Sequence, residues 1–364
     1  MSSVSRRLLM PPNYLLLPCI GIDVSDTSLK YVQFSAHYNN LKLEAWGDVP
    51  IPEGVLSQGN IADSKGLAKV MGEVKKRTGV SLVRMSLPEE KAYLFETTVE
   101  YGTPYKEIRG NLEFHLEENI PIPLEEALFD YQIIESDKEG EPMRVAVSAY
   151  TRATINSYYE VARAVDMHPL SFEVEAQAIA RAVLSPDDED THMVLDFGKS
   201  RTGIGIVHKG SLLYTSTIDL GGKELSTALR RQLGDRDEDE LTDIKNTLGL
   251  VRTFEDTSAY DAMITTMSAI KDEVAVRIEY WNSRINMKGS TEHEIKTIIL
   301  CGGSCNLKGL PEYLNQTLGV EVQRGNVWQN AFDLNDYIPP IDKNHSYGYA
   351  TAIGLAMTNF KYHD

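Results

Sequence analysis

Residues 20–35 run IGIDVSDTSLKYVQFS, and residues 193–208 run MVLDFGKSRTGIGIVH. Each stretch starts with apolar residues typical of a buried strand, ends that strand in an aspartate (Asp23 or Asp196), and turns through small polar residues into a second strand. A third strand is predicted after an Asn-Asn turn in the first copy and a Lys-Gly turn in the second. Because about 170 residues separate the copies, the sequence predicts two related lobes that face one another.

The composition is that of a globular protein. Its 364 residues exceed one ordinary core, and 42% are hydrophobic against 24% charged. The net charge of −17 repels nucleic-acid phosphates and anionic lipid, so we predict neither as a partner. No apolar run is long enough to span a bilayer, and three cysteines suggest no disulfide framework. We therefore expect a cytoplasmic protein with two or more lobes.

Residues 87–168, between the two copies, have a different character and predict a compact α+β insert. The predicted elements are helices over 107–118 and 154–166 and strands over 129–136 and 143–149. Residues 1–18 are interrupted by prolines and predict a tail that leads into the first strand.

The second lobe is predicted to carry long helices. Apolar residues from Met263 to Ile285 recur at helical spacing, which indicates a buried helix face. The elements predicted after it are a strand over 297–300, a glycine turn at 302–304, a helix over 310–318 and a strand over 320–323. The glycine turn is suited to packing against a base or ribose, but by itself it is better explained as an ordinary tight β–α connection.

Both duplicated turns carry groups that bind phosphate, namely hydroxyls, free backbone N–H groups and a cation. The first turn supplies Ser25, Ser28 and Lys30, and the second supplies Gly198 and Thr202. These turns, facing one another, predict a site for a phosphate-bearing ligand.

Asp23 and Asp196 end the two strands where opposed turns could hold a hydrated Mg²⁺ between them. One hairpin of this kind is commonly no more than a hairpin whose Asp caps the turn, whereas two matched copies favour a nucleotide site. No G-x-x-x-x-G-K-[ST] string occurs, so a P-loop is not the nucleotide-binding device.

On these motifs the chain resembles the actin-like ATPase superfamily, which includes actin, Hsp70 and sugar kinases. The matching stretches are residues 21–30 for the first phosphate motif, 173–180 for the first connecting helix, 196–202 for the second phosphate motif, 301–310 for the adenosine motif and 348–354 for the second connecting helix. The resemblance implies an α/β fold with duplicated, ribonuclease H-like lobes that bind ATP and Mg²⁺. Small residues in the connecting helices would let them cross closely at the hinge.

Within the superfamily the chain is similar to the branch that contains the cell-division protein FtsA and the type IV pilus assembly protein PilM. That branch places an α+β domain between the first phosphate motif and the connecting helix. Residues 119–126, NIPIPLEE, followed by Asp130-Tyr131, resemble PilM in particular. FtsA-type proteins end in an amphipathic membrane helix, whereas this chain stops at Asp364, soon after Gly354, which favours PilM.

The resemblance implies a division of the chain into lobes and subdomains. The expected units are the tail (1–18), the first lobe (19–86, 169–190 and 345–364), the inserted subdomain (87–168), the core of the second lobe (191–220 and 296–344) and its helical subdomain (221–295).

The resemblance also implies functional residues. The nucleotide contacts expected are Asp23, Ser25, Ser28, Lys30, Asp196, Gly198, Thr202, Gly222, Lys245, Gly302, Gly303 and Ser304, with Asp23 and Asp196 positioning Mg²⁺ through water. Glu173 falls where Hsp70-like relatives place a catalytic carboxylate near the attacking water. Lys245 matches a lysine that contacts ribose or base in relatives, although a solvated helix lysine is an alternative. Thr242 stands where relatives have a glutamate, and Asp243 or Glu240 could replace it.

Three functions are compatible with this sequence. The resemblance implies an ATP-binding adaptor that binds the cytoplasmic N-terminal segment of a PilN-like membrane protein and couples it to other inner-membrane and motor components of the pilus. Such a protein would be peripheral to the membrane, would hydrolyse ATP slowly if at all, and could self-associate. The alternatives are an FtsA-like filament former and a small-molecule kinase, which would need a general base beside an acceptor pocket.

Overall fold

The computed structural model describes residues 17–37, 40–134, 140–252, 257–287 and 293–360, so most of the predicted tail lies outside it. Its strands are β1 (Cys19–Val24), β2 (Ser28–His37), β3 (Asn40–Pro50), β4 (Leu56–Ser57), β5 (Asn60–Ile61), β6 (Leu82–Leu87), β7 (Tyr93–Val99), β8 (Ala127–Ile134), β9 (Met143–Thr151), β10 (His168–Val174), β11 (Thr191–Phe197), β12 (Thr202–His208), β13 (Ser211–Ile218), β14 (Ile295–Cys301) and β15 (Glu321–Arg324). Its α-helices are α1 (Ser64–Thr78), α2 (Tyr105–Asn119), α3 (Arg152–Ala164), α4 (Glu175–Val183), α5 (Gly222–Leu233), α6 (Glu238–Thr247), α7 (Ser258–Met287), α8 (Leu310–Leu318), α9 (Lys343–Ser346) and α10 (Ala350–Met357).

Two five-stranded sheets share one strand order when they are read from corresponding edges. The first runs β10-β6-β1-β2-β3, and the second runs β15-β14-β11-β12-β13. In each sheet the aspartate-bearing strand pairs antiparallel with the strand after it and parallel with a later strand on its other side. The two hairpins are therefore equivalent parts of two related lobes, which confirms the predicted α/β fold with duplicated lobes.

The aspartates lie at the carboxyl ends of central strands. β1 is buried at all six positions, and β11 is buried at every position except Asp196. Strands that are covered on both faces need apolar residues at nearly every position, which explains why the two quoted stretches begin as apolar runs. Each acidic side chain thus lies where the buried core gives way to a turn.

The inserted subdomain is a three-stranded antiparallel sheet, β7-β9-β8, covered by α2. It has its own hydrophobic cluster, in which Ile108, Leu112 and Leu116 of α2 pack on residues such as Phe95 and Val147 of the sheet. These helix residues follow an i, i+4, i+8 pattern, as expected for one apolar face. The helix ends at Asn119 because two prolines follow it closely.

Helix α3, which the sequence predicts as part of the insert, packs with the first lobe. Its Tyr158, Val161 and Ala162 join the main hydrophobic cluster rather than the cluster of the insert. The Tyr158 hydroxyl donates a hydrogen bond to the carbonyl oxygen of Gly59, at 3.0 Å. The separate core of the insert thus extends no further than strand β9.

The first lobe contains the crossing of the two connecting helices, α4 and α10. A Cβ atom added to Gly354 of α10 would lie 1.8 Å from the carbonyl oxygen of Ala178 in α4. The guanidinium of Arg181 also donates to the carbonyl oxygen of Gly354, at 3.0 Å. The helices therefore touch backbone to backbone, which only glycine at position 354 permits.

In the second lobe, α7 is a single helix of 30 residues with a buried face. The buried residues, spaced by three, four or seven positions, are Met263, Met267, Ile270, Val274, Trp281 and Ile285. In the part of the chain that the structure describes, no helix combines the length and the apolar composition needed to cross a membrane.

Candidate functional site

Asp23 of the first lobe and Asp196 of the second lie close enough for the charge of Asp23 to act on Asp196. Burial, with repulsion from Asp23, raises the pKa of Asp196 to about 6, and attraction to Lys30 partly opposes this rise. Burial also raises the pKa of Asp23, while Lys30 and a hydrogen bond from Ser86 lower it. Asp23 thus raises the proton affinity of Asp196, and a bound cation would relieve the repulsion between the two carboxylates.

Asp23 is held in place by its neighbours in the first sheet. It is 9% exposed, and its Oδ1 accepts a hydrogen bond from Ser86 Oγ at 3.0 Å. Ser86 Oγ in turn accepts a hydrogen bond from the backbone N–H of Val24 at 3.1 Å. This chain of bonds fixes the carboxylate to the adjacent parallel strand β6, so its orientation does not depend on a ligand.

The first phosphate-type turn is closed by its own side chains. Ser25 Oγ donates to the carbonyl oxygen of Ser28 at 2.9 Å and accepts from the Ser28 N–H at 3.2 Å. The Lys30 ammonium donates to Ser28 Oγ at 2.9 Å and lies 3.9 Å from Asp48. The three predicted residues are partly exposed, so the turn presents hydroxyls and a cation beside Asp23.

The second turn is held by backbone and hydroxyl contacts. The N–H of Gly198 donates to the carbonyl oxygen of Arg201 at 3.0 Å. Thr202 is fully buried, and its hydroxyl donates to the carbonyl oxygen of Leu220 at 2.7 Å. The structure therefore gives the Thr202 hydroxyl a role in shaping the loop, whereas Gly198 remains at the partly exposed surface of the turn.

The glycine turn at residues 302–304 packs directly on the second phosphate-type turn. Gly302 has φ +85°, and a Cβ there would lie 2.3 Å from Asp196 Oδ1, so the carboxylate fills the space above it. Ser304 Oγ donates to the carbonyl oxygen of Gly198 at 2.9 Å, and Gly303 is exposed. Gly222 joins the same group through its N–H, which donates to Gly198 O at 3.0 Å.

Lys245 is part of a polar network and is not a solvated surface lysine. Its side chain is 11% exposed, and its ammonium donates to Ser226 Oγ at 2.8 Å and to Glu238 Oε1 at 3.4 Å. It also approaches the carbonyl oxygen of Gly222, at 3.5 Å. Glu238, one turn before Thr242, thus supplies a carboxylate to this subsite. The sequence predicts Asp243 or Glu240 in this role, whereas the structure places Glu238 there, seven residues before Lys245 on the same helix.

The structure does not bring Glu173 to the acidic cleft, by which we mean the space between the lobes beside Asp23 and Asp196. Its carboxylate pairs with the guanidinium of Arg181 and accepts a hydrogen bond from Thr358 Oγ1 at 3.3 Å, which ties β10 to the connecting helices. Glu175, at the start of α4, is a carboxylate on which the charges of Asp23 and Asp196 act. Burial, with repulsion from Asp23, Glu89 and Asp196, raises its pKa well above the ordinary value.

Glu89 is a second carboxylate that the sequence did not reveal. It is 3% exposed, and its Oε1 accepts a hydrogen bond from the N–H of Ala176 at 2.9 Å. The nearby hydroxyl of Thr215 donates to the carbonyl oxygen of Ile204, at 2.9 Å, and not to Glu89. Among the described residues, Oε2 of Glu89 therefore has no hydrogen-bond donor. Burial, with repulsion from Asp196, raises the pKa of Glu89 to about 8.

Replacing Glu89 by glutamine is expected to stabilise the ligand-free protein, and the gain should grow with pH. The folded state keeps the Glu89 proton up to a pKa of about 8, whereas the unfolded chain releases it near 4.5. The free energy of unfolding of the wild type should therefore fall as pH rises through this window. At pH 8 the Glu89→Gln variant should gain about 2–4 kcal/mol, measured by urea denaturation.

The glutamine amide keeps the acceptor for Ala176 N–H and adds a donor toward Thr215. Glu113→Gln, on an exposed position of α2, is the matched control. It should change the free energy of unfolding by less than about 0.5 kcal/mol at both pH 5.5 and pH 8. An equal effect of Glu89→Gln at pH 5.5 and pH 8 would contradict the assignment of a retained proton to this side chain.

The donor set at the cleft fits magnesium bound mainly through water and phosphate. Among the described residues, no group of three or more His, Cys, Asp or Glu side chains could hold a metal ion. Magnesium commonly takes only one or two protein carboxylates and completes its shell with waters and substrate oxygens. Asp23 and Asp196, with a phosphate-bearing ligand between the turns, match that arrangement.

Comparisons with known proteins agree with this fold. A family model described as type IV pilus assembly protein PilM matches residues 21–360. A solved structure of a PilM-PilN type IV pilus biogenesis complex is similar over 95% of this chain and 100% of that chain, with 24% identity and a TM-score of 0.75. MreB5 of Spiroplasma citri bound to ADP is similar over 93% of this chain and 94% of that chain, with 13% identity and a TM-score of 0.53. These structural likenesses confirm the actin-like fold.

A curated relative supports the same branch. The cell division protein FtsA of Agrobacterium fabrum (strain C58) is 26% identical over 149 residues. The match covers 36% of this chain and 33% of the relative, so the chain matches only about a third of that protein's length.

Proposed function

This chain belongs to the type IV pilus assembly protein PilM family, whose model matches residues 21–360, and on that premise we propose that it is an ATP-binding adaptor. It would bind the cytoplasmic N-terminal segment of a PilN-like membrane protein and couple that protein to other inner-membrane and motor components of the pilus. It would thereby be cytoplasmic and peripheral to the inner membrane. The family match is the observation that carries this proposal.

The nucleotide part of the proposal rests on the opposed turns. Asp23 and Asp196 would hold Mg²⁺ through water, and Mg²⁺ when bound would offset the charge of the phosphates. Ser25, Ser28 and Lys30 would contact phosphates from the first lobe. From the second lobe, Gly198 and Thr202 would act through the shape of the loop beside the phosphates, because the Gly198 N–H already donates to the carbonyl oxygen of Arg201.

The adenosine part of the site would lie in the second lobe. Gly302, Gly303 and Ser304 would pack against the nucleoside, and Gly222 would support them through its bond to Gly198. Lys245, held by Ser226 and Glu238, would contact ribose or base, and Glu238 would take the place of the glutamate that relatives carry at position 242. An MreB protein with this fold is described as bound to ADP, which supports the nucleotide class.

We propose Glu175, in place of Glu173, as the carboxylate that holds a water at the phosphate end of the cleft. Its pKa is raised well above the ordinary value by burial and by four neighbouring carboxylates, which favours its protonated form in the ligand-free cleft. A carboxyl group that holds its proton is a poor general base near neutral pH. This supports slow ATP hydrolysis, with ATP acting mainly as a ligand that stabilises one arrangement of the lobes.

The partner part of the proposal is supported by the solved PilM-PilN complex, to which this fold is similar. The inserted subdomain also exposes large apolar side chains, with Phe114 80% exposed and Tyr105 76% exposed on α2. An extended segment can bind through main-chain hydrogen bonds and pockets for alternate side chains, and its ordering costs entropy. A lobe arrangement fixed by ATP would lower that cost.

The test is capture of cytoplasmic N-terminal segments of inner-membrane pilus proteins on beads, with and without Mg²⁺-ATP. We expect one segment to retain the protein, more tightly with Mg²⁺-ATP, and a scrambled segment of equal charge to retain none. Failure of every segment in both conditions would overturn the adaptor role.

An FtsA-like filament former is the second candidate, favoured by the partial match to FtsA. Sedimentation with Mg²⁺-ATP in the absence of any segment separates the two functions. A pellet of polymer would favour filament formation, and a soluble protein would favour the adaptor.

A further inference from the structure

An arginine joins the two phosphate-type turns directly across the cleft. Arg201 lies between β11 and β12 in the second lobe, and its Nη2 is 3.2 Å from Oδ2 of Asp26, in the turn between β1 and β2 of the first lobe. Its Nη1 pairs with Glu90, which follows β6 of the first lobe and precedes the separate core of the insert. One guanidinium therefore bridges two carboxylates of the opposite lobe.

Both carboxylates are held in position by the first lobe. The Asp26 carboxylate accepts hydrogen bonds from the N–H groups of Gln58 and Gly59, each at 3.3 Å. Glu90 lies beside the same hairpin, since a Cβ added to Gly59 would be 2.9 Å from Glu90 Oε1. Asp26 and Glu90 thus present a fixed pair of anions, which suits the planar fork of an arginine.

The bridge is largely shielded from solvent, so it can stabilise the arrangement of the two lobes. The side chains of Arg201, Asp26 and Glu90 are 18%, 17% and 22% exposed. Glu90 also repels the buried Glu175, and the guanidinium of Arg201 places a positive charge near both carboxylates. Partly buried, multiply bonded ion pairs are worth more than exposed single pairs.

The backbone of the arginine turn is also constrained. A Cβ added to Gly221 would lie 2.8 Å from the N atom of Arg201 and 2.7 Å from the carbonyl oxygen of Lys199. The second-lobe end of the bridge is therefore packed against the start of α5. Movement of one lobe away from the other would break the bridge, because Asp26 and the backbone of Arg201 are each held by contacts within their own lobe.

We propose that Arg201, Asp26 and Glu90 form an interlobe latch that keeps the phosphate end of the cleft closed and slows the release of nucleotide. The closing of the lobes requires no ligand, whereas the effect on nucleotide release rests on the proposed ATP binding. None of the three latch residues is among the groups assigned to hold Mg²⁺, phosphate or adenosine.

The closing of the lobes can be tested without nucleotide. Cysteines placed at exposed Ser64 in the first lobe and exposed Gln232 in the second accept spin labels, because the native cysteines 19, 301 and 305 are buried. We expect Arg201→Ala to lengthen and broaden the distance distribution between the labels. The control Arg144→Ala breaks an ion pair with Glu96 inside the insert and should leave the distribution unchanged. An unchanged distribution in Arg201→Ala would overturn the latch.

The effect on nucleotide is tested by release of a fluorescent ADP in stopped flow. Arg201→Ala and Glu90→Gln should each release it faster, by roughly three- to tenfold. The double variant should be no faster than Arg201→Ala, because both changes break the same bridge. If Arg201→Ala widens the distance between the labels but leaves the rate of ADP release unchanged, the latch does not control release. If neither the wild type nor any variant binds nucleotide, the proposed ATP binding is wrong, and the label distances still test whether the latch closes the lobes.

Discussion

Gly354→Ala is expected to cost about 3–5 kcal/mol of folding free energy, although it adds only one methyl group. The new Cβ would lie 1.8 Å from the carbonyl oxygen of Ala178 and 2.5 Å from its carbonyl carbon. The obstructing atoms are backbone, so no side chain can rotate away to make room. Helices α4 and α10 would have to separate at the place where they cross. Urea denaturation at pH 7 measures the loss.

The control for this change is Gly110→Ala in helix α2. A Cβ at Gly110 meets nothing within 4 Å, and alanine is favoured over glycine inside helices by about 1 kcal/mol. Gly110→Ala should therefore leave stability unchanged or raise it. A Gly354→Ala protein as stable as the wild type would show that the helices cross less closely than the structure has them.

Asp196→Asn is expected to weaken ATP binding in the presence of Mg²⁺ by about a hundredfold or more, and Asp196→Ala should abolish the Mg²⁺ dependence. Asp196 is one of the two carboxylates that face each other between the turns, and repulsion from Asp23 helps to raise its pKa to about 6. Removing either charge removes much of the attraction for a divalent cation. Calorimetric titrations with ATP, with Mg²⁺ and with EDTA, measure the effect.

The same variant should be more stable than the wild type without ligand. Asp196 is raised in pKa by burial and by Asp23, so at pH 8 its charge destabilises the folded state, and asparagine removes that cost. A gain in melting temperature together with lost Mg²⁺-dependent binding excludes misfolding as the cause. Asp130→Ala, on an exposed position of the insert, should change neither property. Wild-type titrations of the Asp196 variants would contradict the site.

Much of the architecture was predictable from local patterns. A strand that is buried on both faces must be apolar throughout, so β1 and β11 could be recognised as strands, and the aspartates that end them stood out. The helical spacing of residues in α2 and α7 likewise predicted their buried faces. The equivalence of the two hairpins followed from their likeness to each other, and the matching strand orders of the two sheets confirm it.

The fine structure of the site was not predictable in the same way. Glu173 and Glu175 are two residues apart, and sequence position alone does not tell which of them faces the cleft. The fold decides this, because Arg181 and Thr358 take up the Glu173 carboxylate. Thr202 also matches a phosphate motif, yet its hydroxyl donates to Leu220 O.

The contacts that join distant segments lay beyond any local pattern. Glu89 bonds to Ala176, which is 87 residues away, and Arg201 reaches Glu90 across 111 residues. The sequence by itself determined the strands, the helix faces and the two aspartates, because those depend on burial along a few consecutive residues. Tertiary structure alone decided which carboxylates share the cleft and which arginine bridges it, because these depend on how the two lobes meet.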